Sequence, residues 1–146
     1  LETRKLYAGK TSVYVSDEEM FFLHLVLHQY KESALYFTAA RGKDLDLYKL
    51  ADIYYLWRAE AFDKERLKAL SVKYGLKREI GAVLSQVGKI FNDTEIVTAS
   101  EEYGGLQPEV YDYERKKAYR WTAGVSERIR IFDGKAYLRE KKENVE

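Results

Sequence analysis

From residue 17 to residue 91, apolar side chains recur at three- and four-residue steps, broken only where the chain carries start and stop signals. That repeat commits most of the sequence to helices that bury one face against each other. Four helices are predicted, over about 17–40, 44–60, 63–74 and 77–91. The first opens at "SDEE", a capping box in which the Ser16 hydroxyl would accept from the Glu19 amide and the Glu19 carboxylate would return the bond. Its "MFFLHLVLHQY" is apolar on nearly every face, which predicts the centre of the core. After Arg41-Gly42, Asp44 or Asp46 caps the second helix, whose Leu50, Ile53, Tyr54 and Trp57 form a stripe. Asp63 caps the third, with Phe62 and Leu67 spaced as a hydrophobic staple, and Gly75 supplies a left-handed stop. The fourth buries Ile80, Val83, Leu84, Val87 and Ile90 and ends at Asn92-Asp93, and its Gly81 and Gly88 leave room for a close neighbour.

The flanks differ. Residues 4–15 alternate around Gly9 as a short hairpin. From Thr94 the chain turns polar, through Gly104-Gly105 to the sole proline, Pro108, which would lead a short helix over 109–121. "RIRIFDGKAYLR" reads as a second hairpin turning at Asp133-Gly134, and residues 140–146 as a disordered tail. The expected architecture is mainly α: a four-helix body with short β-hairpins near both ends, organised as residues 4–93 with residues 94–139 packed on them.

With 25 Lys plus Arg against 24 Asp plus Glu, the net charge of +1 gives no field that would gather nucleic acid, which is not indicated as a partner. No cysteine is present, so disulfides, thiolate zinc sites and cysteine nucleophiles are excluded. No apolar run reaches the roughly 18–20 residues that span a bilayer, and no membrane partner is expected. A cytoplasmic protein is expected. The chain begins at Leu1 in what reads as a strand and its only methionine is Met20, which predicts a piece of a longer protein.

The order of features from Lys5 to Asn92 resembles the C-terminal half of the bacterial uncharacterised nucleotidyltransferase family, within the DNA polymerase beta superfamily. A strand leads into "VSDEEMFFLHLVLH", similar to that family's acidic cap and L-x-x-H helix, with Lys31 soon after. "LYKLADIYYL" is similar to its l-x-D-l-x-x-L helix, and "FDKERLKALSVKYGLKREIGAVLSQVGKIF" to its last helix pair. Lys31, Arg41, Lys43-Asp44 and Asp46-Leu47 also look similar to a set carried by abortive-infection nucleotidyltransferase toxins. The resemblance implies a helical half that covers a catalytic sheet lying upstream, where a Gly-Ser or Gly-Gly turn and a D-x-D pair would bind Mg²⁺ and nucleotide. The partners it implies are that N-terminal half, a nucleotide and an acceptor. No catalytic residue, metal site or cofactor is expected within this segment itself.

Two acidic pairs imitate the catalytic one. Asp44 and Asp46 lie at a helix start, where capping is the favoured role, and Asp112 and Glu114 follow Gly104-Gly105 only after the helices. His24 and His28, one turn apart, lack the glutamate of a zinc helix; His24 is expected in the core. His28 matches the family's helix histidine, and with Lys31 and Asp52 it forms the candidate substrate-binding set. Asp52, between Ala51 and Ile53, is expected to pair with His28, Lys31 or Lys49, because an unpaired carboxylate in an apolar stripe is costly. Such a set would orient a phosphate or hydroxyl, or only clasp two helices. Arg41 and Lys43 are further phosphate candidates. Tyr48, Tyr54 and Tyr55 fall where helix packing uses a ring with a polar tip. The alternative function is a non-enzymatic helical interaction module; a third is a nucleic-acid-sensing toxin component.

Overall fold

A computed structural model of the chain describes residues 3–142. Strands β1 (Thr3–Ala8) and β2 (Thr11–Ser16) form an antiparallel ribbon, followed by α1 (Glu18–Ala34), α2 (Tyr36–Ala40), α3 (Leu47–Arg58), α4 (Lys64–Tyr74) and α5 (Lys77–Ile90). Next come α6 (Thr94–Glu102), β3 (Val110–Asp112), β4 (Lys117–Trp121), the single turn α7 (Val125–Arg128), a 3₁₀ turn over Gly134–Tyr137 and β5 (Leu138–Glu140). The strands β3, β4 and β5 make a second antiparallel sheet in that order. The fold is mainly α, and none of its helices among the described residues is long and apolar enough to cross a membrane.

Aspartates start four of these helices. Asp17, Asp46, Asp63 and Asp93 accept hydrogen bonds from the amides of Met20, Lys49, Arg66 and Ile96; each such cap contributes about 1 kcal/mol. The cap of α1 is therefore Asp17 rather than Ser16. Glu19 does not complete a capping box: it is buried and accepts from the Asp63 amide at 2.8 Å, tying the starts of α1 and α4 together. Asp63 and the left-handed Gly75 (φ 65°) bound α4 as the sequence predicts.

The most enclosed helix is α5, not α1. Every residue from 80 to 88 is buried, and Ile80, Val83, Leu84 and Val87 each contribute roughly 1.5–3 kcal/mol. Gly81 and Gly88 face α6, and a Cβ at either would lie within 3 Å of Tyr103, Gly105 or Val97. That close neighbour is a helix which the polar "TEIVTASEE" did not announce. Phe22, Trp57 and Phe62 pack with ring centroids 5.0–6.0 Å apart at the other end of the core.

Four further expectations change. The helix predicted over 17–40 breaks at Leu35, which is extended (φ −98°, ψ 128°) and bridges to Tyr111. The Thr38 hydroxyl sits against the Glu32 and Leu35 carbonyls that the break releases. Residues 109–121 form the β3–β4 hairpin instead of a helix, and Asp133-Gly134 is no hairpin turn, because Asp133 caps the 3₁₀ turn through the Lys135 amide. Glu140 belongs to β5, so the tail predicted from 140 is ordered at its start; residues 143–146 lie outside the described residues.

Candidate functional site

The predicted set does not converge. His28 and Lys31 lie exposed on α1, and Asp52 is exposed on α3. The inward face of α3 is Leu50, Ile53 and Trp57. At 100° per residue, Asp52 points roughly 130° away from the middle of that stripe, although it is adjacent in sequence to one of its members. The clasp between α1 and α3 exists with other residues: Lys49 Nζ meets Glu32 Oε2 at 3.0 Å and lies 3.8 Å from Asp46. His24 is exposed too, not a core residue. Tyr48 and Tyr55 are largely exposed, while Tyr54 is half-buried and stacks on Phe91 at 4.7 Å.

Neither acidic pair forms a metal site. Asp46 is occupied as the cap of α3, and Asp44 is buried beside Arg128. Asp112 accepts from the amides of Glu114 and Arg115 through Oδ1. Among the described residues no group of three or more His, Asp or Glu side chains is placed to hold a metal ion.

What the fold does bring together is a buried polar network. Gln29 Nε2 lies 2.7 Å from the Asp44 carbonyl oxygen and 3.1 Å from Ser33 Oγ and Gln86 Oε1. Gln86 Nε2 donates to Ser33 and to Gln107 Oε1, and Gln107 donates to the Ala82 carbonyl. Arg128 Nη1 stands 3.7 Å from Asp44 Oδ2, and its guanidinium lies 4.8 Å from the centre of the Trp121 ring. Burial pushes the Asp44 carboxyl above its ordinary range, with Arg128 opposing, and the same burial lowers Arg128. Asp44 Oδ2 and Arg128 Nε have no hydrogen-bond partner among the described residues. This network fixes the loop after α2 and the turn of α7 onto α1 and α5. Its sequence signal was a glutamine inside each apolar stripe, Gln29 after Val26 and Gln86 between Leu84 and Val87; Arg128 gave none.

Among the described residues, two concavities open beside α3 and α1. The concavity at the α3–α4 junction, about 620 Å³, is polar and runs beside the Lys64–Glu95 ion pair. A second, about 480 Å³, is apolar: Met20, Leu23, His24 and Leu27 of α1 form one wall, and Tyr74 and Leu76 the other. The α1 residues recur at helical spacing, and the same line continues through Lys31, with His28 beside it. Upstream stands the β1–β2 ribbon, in which Leu6 opposes Val13 with both side chains exposed. Each strand pairs only with the other among the described residues, so both outer edges are open.

No protein-family model matches the chain, and neither a curated protein nor a solved structure is detectably similar to it.

Proposed function

We propose that the chain is the helical part of a nucleotidyltransferase-like protein of the cytoplasm, seated against a catalytic sheet supplied by preceding residues of the same protein. The uncovered strip of α1 carries this reading. Leu27 and its neighbours line an open apolar groove, and a two-stranded ribbon with open edges stands beside it. Such a ribbon is marginal until another strand or a packed layer joins it. A sheet laid on the groove would continue the ribbon and bring His28 and Lys31 to its rim. The order ribbon, α1, α3, α4, α5, taken as one four-helix body with α2 as the bent end of its first helix, supports the reading because the family resemblance requires that order.

On this reading the carboxylates that hold Mg²⁺ belong to the sheet, since Asp44, Asp46 and Asp112 are committed elsewhere. Bound there, the metal would supply charge stabilisation for the transferring phosphoryl group. This chain's part is to exclude water from one side and to present His28 and Lys31 to a phosphate or an acceptor hydroxyl. Both side chains are exposed and neither is tied into a clasp among the described residues, which suits that part.

The test is to read the codons ahead of Leu1 and assay the longer protein with Mg²⁺ and labelled nucleoside triphosphates. A strand, a Gly-Ser or Gly-Gly turn and a D-x-D pair should be encoded, labelled product should form, and Leu27→Glu should reduce it. No acidic pair upstream, or no product with any common triphosphate, sinks the proposal. The exposed Leu6 and Val13 on an open-edged ribbon favour one second reading, a non-enzymatic interaction module that pairs a partner's strand with β1 or β2. A longer protein lacking the acidic pair would leave that one standing.

A further inference from the structure

The break in the first helix builds a cleft. Leu35 leaves the helix to bridge Tyr111 of β3, and the rings of Tyr36, Tyr111 and Tyr113 wall a concavity of about 320 Å³ between α2 and the β3–β4 turn. That volume is at the small end of ligand pockets, right for one ring system with one substituent. Tyr111 and Tyr113 meet edge to face at 4.7 Å, and Tyr36 is braced by Tyr119 at 4.7 Å. The walls are therefore held, while Tyr113 at the rim is 72% exposed and offers its ring to an occupant.

Three cations share this cleft: Arg41, Arg115 and Lys135. The Arg41 guanidinium carbon sits over Phe37, 3.6 Å from the ring centre, which holds the guanidinium without a carboxylate. Neither Arg41 nor Lys135 has an acidic partner among the described residues. Of the two carboxylates present, Asp112 is turned inward: Oδ1 accepts two backbone amides and Oδ2 lies 3.8 Å from Arg115 Nε. Glu114 is exposed. With Arg115 set against Asp112, Arg41 and Lys135 supply two positive charges, which suits the nearly doubly charged phosphate of one monoester and not a triphosphate.

We infer that this cleft binds a nucleoside monophosphate, its base against the tyrosines and its phosphate on Arg41 and Lys135. Aromatic faces stack any base, and a guanidinium gives a phosphate two parallel hydrogen bonds. The proposal does not depend on the nucleotidyltransferase reading, and it concerns a different surface from the α1 groove.

Calorimetric titration with AMP, GMP, CMP and UMP tests it. At least one should bind with a Kd below about 1 mM. Adenosine, ribose 5-phosphate and inorganic phosphate should each bind at least about tenfold more weakly than the preferred monophosphate, the scale set by losing a stack or a charged contact. Arg41→Ala and Tyr113→Ala, both exposed and so compatible with an intact fold, should each cost about tenfold on the same grounds. Lys77→Ala, exposed at the start of α5 and outside the cleft, should change nothing. No binding of any monophosphate, equal binding of ribose 5-phosphate, or insensitivity to Arg41→Ala would overturn the assignment. A 5′-phosphorylated tetraribonucleotide that binds tenfold more tightly than the monophosphates would overturn it in favour of RNA.

Discussion

Removing Arg128 should strand a buried charge. Asp44 and Arg128 are 1% and 4% exposed, and their charged atoms stand 3.7 Å apart. At an effective dielectric near 20, that separation corresponds to roughly 4–5 kcal/mol of attraction. The attraction offsets the several kcal/mol that each ion loses by leaving water. Arg128→Met keeps the bulk and deletes the charge, so the Asp44 carboxylate loses its partner and the expected cost is about 3–5 kcal/mol. For a chain of this size, that corresponds to a fall in melting temperature of roughly 6–20 °C. Asp44→Asn in the same background should recover at least half of the loss, because neither charge then remains. The pH dependence has a fixed sign. Burial already raises the Asp44 pKa above its unfolded value, so the folded state binds the proton more tightly. Its contribution is therefore most favourable at low pH and is lost as pH climbs through the raised pKa. Without Arg128 that pKa rises further, and the gap between variant and parent should narrow as pH falls from about 7 to about 5. Thermal denaturation at both values measures it. A loss below about 1 kcal/mol, or a gap that widens on acidification, would refute the account of this pair as a mutually dependent buried charge pair.

Gly81→Ala places a Cβ 2.5 Å from the Tyr103 carbonyl oxygen; because backbone must shift, about 1–3 kcal/mol should be lost in urea titration. Gly124→Ala, with open space around it, is the matched control and should stay within about 0.5 kcal/mol. Asp52→Ala should be silent to within about 0.5 kcal/mol, whereas Lys49→Ala, which breaks the ion pair with Glu32, should cost up to about 1 kcal/mol; a larger effect at Asp52 would restore the clasp first expected there. Leu27→Glu should melt like the parent, since the side chain faces the open groove and not the core; a marked fall would show that the groove is filled from within the chain.

What the sequence disclosed follows from how local each signal is. Asp63, Gly75 and the stripe from Ile80 to Val87 act within one or two turns, and α4 and α5 fall where they predict. The break at Leu35 depends on a bridge to Tyr111, 76 positions away, and no local pattern encodes it. Residues 109–121 read locally as a helix because Pro108 is as good a leader of a strand as of a helix, and the alternation of Val110 and Asp112 inward is only three residues long. His24 and Asp52 failed for a different reason. Both have apolar sequence neighbours, but on a helix the neighbour that matters is three or four residues away. Arg41 is legible as a phosphate candidate, but of the tyrosines that give it a cleft only Tyr36 is near in sequence; Tyr111 and Tyr113 come from β3 and its turn, which only the tertiary fold brings to it.

The two surfaces proposed for partners are joined by α1. Met20, His24, Leu27 and Lys31 lie on one line of the helix, and that line ends at Leu35, which is part of the wall of the tyrosine cleft. At 1.5 Å per residue, the groove and the cleft are roughly 12–18 Å apart along the axis, with His28 and Lys31 between them. The inward face of the same helix carries Gln29 and Ser33 instead of leucines, and their network holds the loop after the break in place. Polar residues in that core are thus explained by position: they secure the end of α1 at which the chain must leave the helix. If a sheet seats on the groove, Lys31 faces the gap between it and the cleft. Lys31→Glu should then disturb transfer in the longer protein while leaving monophosphate binding to the cleft nearly intact. Loss of both together would mean that groove and cleft are a single site, and the separation drawn between them would fall.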